Sequence, residues 1–281
     1  VKKTYIIAEI GINHNGDINV AKKLIDIAAA AGCDAVKFQK REPDVCVPEH
    51  QKNVLKDTPW GSMTYLEYKH KTEFGREEYN EIDRYCKERV IEWSASPWDL
   101  ESLSFLLDYD IPFIKVPSAM LTNKPLLEAC AASGKKVILS TGMSTEEEIS
   151  EAISTLDELI KVRSKNSYAI LHCNSTYPAP LEEINLSCIK TLKEIFNCEV
   201  GYSGHEFRLG TSVAAVYLGA SIIERHITLD RSMWGSDHLS SIEPQGLFKL
   251  VSGIRELEKA YGDGSINVSE SEKNVRKKLR G

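Results

Sequence analysis

The sequence predicts an α/β fold: a single-domain, eight-stranded parallel (β/α) TIM barrel over residues 1–262, followed by a polar tail over 263–281. Three observations predict it. Eight short apolar runs alternate with amphipathic stretches along the chain. The runs are nearly continuous in apolar residues, as strands covered on both faces of a parallel sheet are. The length of 281 residues suits one closed barrel with right-handed crossovers.

The strands are expected at Tyr5–Ile10, Asp34–Phe38, Ile91–Ser96, Phe113–Val116, Lys136–Ser140, Tyr168–Cys173, Glu199–Ser203 and Ser221–His226. Between the first two, Val20–Ala31 carries Leu24, Ile25, Ile27 and Ala28 on one helical face. Thr145–Ile160 opens with Ser144 and Thr145 ahead of Glu146, Glu147 and Glu148, an N-terminal cap followed by an acidic first turn. Gly32 and Gly134 stand where helices end, just before strands. Asn15-Gly16 marks a tight turn before the first helix. Residues 40–74 lack periodicity and read as one long loop, either a lid or a surface excursion packed on the barrel. An open doubly wound sheet is the alternative, but no Gly-x-Gly-x-x-Gly follows the first strand.

Composition narrows the function. A net charge of −6 leaves no basic footprint for nucleic acid. No apolar run is long enough to span a bilayer. Seven scattered cysteines without a Cys-x-x-Cys pair predict reduced thiols and a cytoplasmic protein.

The polar residues inside the strand-like runs carry the chemistry. Strand side chains alternate, so Lys37 and Gln39 share a face, as do Ser203 and His205, and Glu224 and His226. Charged groups inside apolar strands are costly unless paired, liganded or part of a site. At the C-terminal strand ends of a barrel they converge on one pocket. His205 and His226, from neighbouring strands, suit a Mn, Fe, Co or Zn ion with open positions. Glu224 is either a further ligand or partner there, or the ion-pair partner of a barrel lysine, and Asp237 approaches from the next loop. Lys37 and Lys115 either hold an anion with Ser118, Ser140 and Ser203, or pair with Glu9 and Glu224. Asn13, His14 and Asn15 are expected over the pocket mouth.

These residues sit in motifs that closely resemble the N-acetylneuraminate (sialic acid) synthases, from about residue 4 to about residue 260. The motifs are Ala8 to Asp17, Lys37-Phe38-Gln39, Leu139-Ser140-Thr141-Gly142-Met143, Leu171-His172-Cys173, Tyr177-Pro178 and Glu224-Arg225-His226. The resemblance implies condensation of phosphoenolpyruvate with an open-chain aldose, N-acetylmannosamine or a related hexose derivative. The products are a nonulosonic 2-keto acid and phosphate. It implies a divalent metal at His205 and His226, Mn2+ first, with Mg2+ or Co2+ as alternatives. Lys37, Ser94, Lys115, Ser118, Ser140, Ser175, Tyr177 and Ser203 fall among the substrate-binding positions, with Gln39, Tyr177 and Asp237 toward the sugar. Glu9 resembles a glutamate near the reacting water, with a proton-accepting role. A homo-oligomer is implied as well.

Two departures stand out. Where these synthases usually read Lys-Ile-Gly-Ser-Gly-Glu, this chain reads Lys115-Val116-Pro117-Ser118-Ala119-Met120, so a thioether replaces a carboxylate expected to contact the sugar. The family's C-terminal antifreeze-like domain does not follow residue 281, which suggests a short form or a truncated one. Two other enzymatic readings stay open beside this one. A heptulosonate- or octulosonate-phosphate-type synthase needs a second phosphate pocket, with Arg41, Arg208 and Arg231 as candidates. A Schiff-base aldolase needs a lysine of depressed pKa. A non-catalytic sugar-binding barrel is the reading outside enzymology.

Overall fold

The structure, a computed structural model, describes residues 3–160 and 168–280. Its strands are β1 (Tyr5–Gly11), β2 (Ala35–Lys40), β3 (Leu55–Thr58), β4 (Gly61–Thr64), β5 (Glu92–Pro97), β6 (Phe113–Val116), β7 (Lys136–Ser140), β8 (Tyr168–Cys173), β9 (Glu199–Gly204) and β10 (Ile222–His226). Eight form one parallel sheet in the order β5-β2-β1-β10-β9-β8-β7-β6. β5 and β6 come side by side, and the sheet curls into a barrel. Every expected run is one of these eight strands, with ends agreeing to within about two residues.

Register places the polar residues at one depth. Glu9 pairs with His226 on one side and Lys37 on the other, and Glu224 pairs with Ser203. Beneath them Ile7, Ala35, Phe113, Ile138, Ala169, Leu171 and Ile222 form an apolar plug inside the barrel. A larger apolar layer packs the outer strand faces against the helices. The barrel is therefore closed below and polar above, the usual plan of an active-site barrel.

The helices start and stop as their sequences dictate. Ile18–Ala31 is capped by Asp17, which accepts from the Asn19 amide at 2.7 Å, and ends at Gly32 with φ +85°. Glu146–Ile160 is preceded by a reciprocal box, with Thr145 N donating to Glu148 at 2.8 Å and Glu148 N to Thr145 Oγ1 at 3.3 Å. Gly16 is required at its turn: φ is +75°, and a Cβ there would meet the Lys71 carbonyl oxygen at 2.3 Å.

The segment 40–74 is not one long loop. It folds into short helices at Pro43–Cys46 and Glu49–Lys52, the antiparallel hairpin β3–β4 and a helix at Tyr65–Thr72. Its pattern is too short-ranged and polar for periodicity to register. A capping box, Thr64 with Glu67, starts the last helix. Trp60 and Tyr68 then pack edge-on against Trp234, at 5.7 and 5.1 Å, in the loop after β10. The tail is not featureless: it carries a helix at Glu270–Arg280 with no buried residue. Among the described residues, no helix is long and apolar enough to cross a membrane.

Candidate active site

The strand ends enclose a cavity of about 170 Å³. Into it reach Glu9 from β1, Lys37 and Gln39 from β2, Lys115 from β6 and Ser140 from β7. Ser203 of β9 and the following His205 complete it with Glu224 and His226 of β10. The turns after β6 and β8 add Ser118, Ser175 and Tyr177.

Two ammonium groups and two carboxylates form its floor. Lys37 Nζ lies 2.8 Å from Glu9 and 3.7 Å from Glu224, and Lys115 Nζ lies 3.2 Å from Glu224. All four residues are at most 3% exposed. Glu224 is thus the lysines' ion-pair partner, and it also accepts from Ser203 Oγ at 2.9 Å. Lys37 donates to Ser96 Oγ at 2.8 Å and faces Glu9 Oε2 at 2.8 Å, an ammonium having donors for both. Glu224 Oε2 and Ser140 Oγ are buried without a hydrogen-bond partner. Buried polar atoms left open in this way await a ligand or water.

The two carboxyls are not equivalent. Burial would raise Glu224, but Lys115 and Lys37 outweigh it and hold the carboxyl down to about 2. For Glu9 burial outweighs the attraction of Lys37 and, with the like charge of Glu224, pushes the carboxyl up to about 7. Burial also depresses Lys115, only partly offset by Glu224, while for Lys37 the two carboxylates outweigh burial and raise it. With all four groups ionised the floor is electrically neutral, so an anion bound between the lysines adds net negative charge.

The imidazoles form the wall. Their ring centroids are 5.4 Å apart, and Tyr177 stacks on His205 at 4.1 Å. His205 Nδ1 donates to the Asn174 carbonyl at 2.6 Å, which leaves its Nε2 lone pair free. His226 Nδ1 is buried without a hydrogen-bond partner, 3.8 Å from an Asp237 carboxylate oxygen. Among the described residues no three His, Cys, Asp or Glu side chains already form a metal cage. Two imidazole donors with a carboxylate nearby and open space between fit a divalent ion that keeps positions for water and substrate.

Several expectations need correction. Ser94 does not reach the cavity. Its hydroxyl donates to the Phe113 carbonyl, bridging β5 to β6 at the seam of the barrel. It faces inward as expected but one pleat too deep, and Ser96 takes its place. Asp237 lies at the rim, near His226, rather than among the cavity-lining residues. Asn13, His14 and Asn15 do not line the mouth. Asn13 donates to Ile227 O and Ser241 Oγ, Asn15 to Trp234 O, and His14 stacks on Phe74 at 3.8 Å. Burial holds His14 down to about 3, so it stays neutral. Met120, in the turn Ser118–Met120, faces a neighbouring cleft that shares Trp98 with the main cavity.

Ser96, Trp98 and Cys173 line the cavity without having been singled out. Strand alternation from Ser94 would have found Ser96, and from Leu171 would have found Cys173. Burial alone would raise the Cys173 thiol, but the facing His205, 3.8 Å away, brings it below the ordinary range. Of the three arginines considered for a second phosphate pocket, Arg41 stacks over Trp98 at 3.9 Å. Arg231 is engaged with the Ser241 carbonyl, and neither it nor Arg208 lines the cavity.

Comparison with known proteins agrees with this geometry. The family model of the NeuB family matches residues 24–266. The chain belongs to the NeuB family. It is 43% identical over 279 residues to the N,N'-diacetyllegionaminic acid synthase of Campylobacter jejuni, covering 98% of this chain and 83% of that protein. It is 38% identical to the human N-acetylneuraminate-9-phosphate synthase, covering 98% of this chain and 76% of the other. The crystal structure of the N-acetylneuraminic acid synthetase of Leptospira borgpetersenii, in complex with citrate, superposes with a TM-score of 0.85 at 34% identity. That likeness covers 99% of this chain and 93% of the other. In this NeuB-family barrel the lysine floor and the imidazole wall thus occupy the strand-end face where barrel enzymes carry their sites.

Proposed function

We propose that this protein condenses phosphoenolpyruvate with the open-chain form of an N-acyl amino sugar, giving a nonulosonic 2-keto acid and phosphate. One observation carries the reading: two buried ammonium groups and a pair of imidazoles face one cavity from opposite strands. The first pair suits the phosphate and carboxylate of phosphoenolpyruvate, and the second suits the carbonyl of the sugar. The relatives' names support it, since each is a synthase of a sialic- or legionaminic-type acid or its phosphate.

Lys37 and Lys115 hold the anion, with Ser118, Ser140, Ser175 and Ser203 as hydroxyl donors around it. His205 and His226, with Asp237 at the rim, would hold the divalent metal, for which Mn2+ is the first candidate. When bound, the metal polarises the aldehyde oxygen. The enol carbon of phosphoenolpyruvate bonds to the aldehyde carbon, whose oxygen takes the proton that Glu9 carries once the anion is bound. Water adds to the cationic carbon so formed. Glu9, ionised once that proton is given up and lining the cavity, takes the proton that this water releases. The C–O bond to phosphate then breaks, phosphate departs with the bridging oxygen and takes up the hydroxyl proton, and the ketone forms. Gln39, 3.4 Å from Glu9, and Tyr177, on His205, orient the sugar chain. A cytoplasmic homo-oligomer completes this reading.

The test is phosphate release from phosphoenolpyruvate by metal-stripped protein, with Mn2+ restored or withheld, against N-acyl hexosamines, free aldoses and aldose phosphates. The proposal expects release that needs both metal and an N-acyl amino sugar. Release with aldose phosphates alone would replace it with the heptulosonate-type reading.

A further inference from the structure

The β9–β10 ladder ends at the pair Gly204–Arg225, one residue short of His205. No strand pairing to β10 therefore fixes His205 against His226. The link comes from the opposite face of β10, where Arg225 lies between the inward-facing Glu224 and His226. Its guanidinium donates to the Glu206 carboxylate at 2.9 Å, to Ser212 Oγ at 2.8 Å, to the Arg208 carbonyl at 3.0 Å and to the Glu206 carbonyl. Glu206 in turn accepts from Tyr202 at 2.8 Å and from Thr211. Both Arg225 and Glu206 are 1% exposed.

We infer that Arg225 and Glu206 are positioning residues for the metal site, setting the separation of the two imidazoles. The pair joins the residue before His226 to the residue after His205. Arginine suits the task because its planar fork reaches several acceptors at once, whereas a lysine ammonium on a flexible stem does not hold that geometry. The ammonium groups of the floor stand on β2 and β6, and their partner Glu224, next to Arg225, is held from the cavity side by Lys115, Lys37 and Ser203. The clamp thus acts first on the metal end of the cavity. The inference rests on the two-histidine metal site of the proposed function.

The experiment compares wild type with Arg225→Lys and Glu206→Gln. Glu206→Gln keeps the side-chain shape and guards against a variant that fails to fold. Mn2+ affinity is read by calorimetry, phosphoenolpyruvate affinity by tryptophan fluorescence, and folding by thermal melts. In metal-free protein the Nδ1 proton of His205, bonded to the Asn174 carbonyl, is followed by NMR. Mn2+ affinity is expected to weaken about ten- to a hundred-fold, as when a ligand's supporting contacts are lost. Phosphoenolpyruvate affinity should stay within about two-fold of wild type, and the His205 signal should shift. Unchanged Mn2+ affinity in folded variants, or equal losses of both affinities, would overturn the positioning role alone. Wild-type protein that binds no divalent metal would overturn the metal site together with it.

Discussion

Glu9 and Lys37 face each other on neighbouring strands with 2.8 Å between carboxylate and ammonium, and both are nearly fully buried. Lys37 is also 3.7 Å from Glu224, whereas Glu224 has Lys115 and Ser203 besides. Glu9 is therefore the carboxyl that yields to a proton.

This makes the fold's stability depend on pH in a definite direction. Burial raises Glu9 from 4.5 to about 7, so its contribution is complete below about 4.5 and is lost as pH rises through about 7. Glu224 runs the other way, contributing above about 4.5 and losing its effect as pH falls through about 2. Thermal melts of Glu9→Gln should show a flatter pH dependence than wild type between pH 4.5 and 7. Parallel curves would show that Glu9 is already ionised across that range.

Phosphoenolpyruvate binding should take up a proton. The floor is neutral with all four groups ionised, and an added anion favours protonation of Glu9. Calorimetry near pH 8, in buffers of different ionisation enthalpy, should give a net proton uptake. Glu9→Gln should abolish most of it. Equal uptake in both would place the proton elsewhere.

Lys115→Met leaves Glu224 with Lys37 and Ser203 alone. Removing one partner of a buried ion pair typically costs about 3–5 kcal/mol, and phosphoenolpyruvate affinity should fall at least about a hundred-fold. Adding Glu224→Gln should recover stability without recovering affinity. Recovery of both would mean that Lys115 serves the fold and not the ligand.

Ser94 and Ser96 separate a structural from a binding hydroxyl. Ser96→Ala removes the hydrogen bond to Lys37 and should weaken phosphoenolpyruvate binding several-fold, for about 1 kcal/mol. Ser94→Ala breaks the bridge to Phe113 and should lower the melting temperature with little change in KM. The reverse pattern would contradict the assigned depths.

Met120 carries the acceptor prediction. It faces the cleft that shares Trp98 with the cavity and offers no carboxylate to a sugar hydroxyl. Met120→Glu should shift kcat/KM toward more hydroxylated hexosamines by about ten-fold or more, with the KM for phosphoenolpyruvate unchanged. An unchanged preference would place the acceptor away from this turn.

The barrel was legible because each strand is a short apolar run, and two-sided burial forces that composition. Lys37, Lys115, Glu9 and Glu224 were legible for the converse reason: charge inside such a run has a high cost without a partner. Depth was not legible. Ser94 and Ser96 share a face, and only the register with Lys37 and Gln39 separates the seam from the cavity. The excursion over residues 40–74 was hidden as well. Its order comes from aromatic contacts to Trp234, far away in sequence, which no local pattern reveals. The clamp of Arg225 on Glu206 is of the same kind, visible only once two adjacent strands are in place.

The most direct test of the condensation uses phosphoenolpyruvate carrying 18O in the bridging position, with Mn2+ and an N-acyl amino sugar acceptor. The account predicts acceptor-dependent release of phosphate that retains the label, because the C–O bond breaks. Label kept in the keto acid, or phosphate released at the same rate without acceptor, would contradict it.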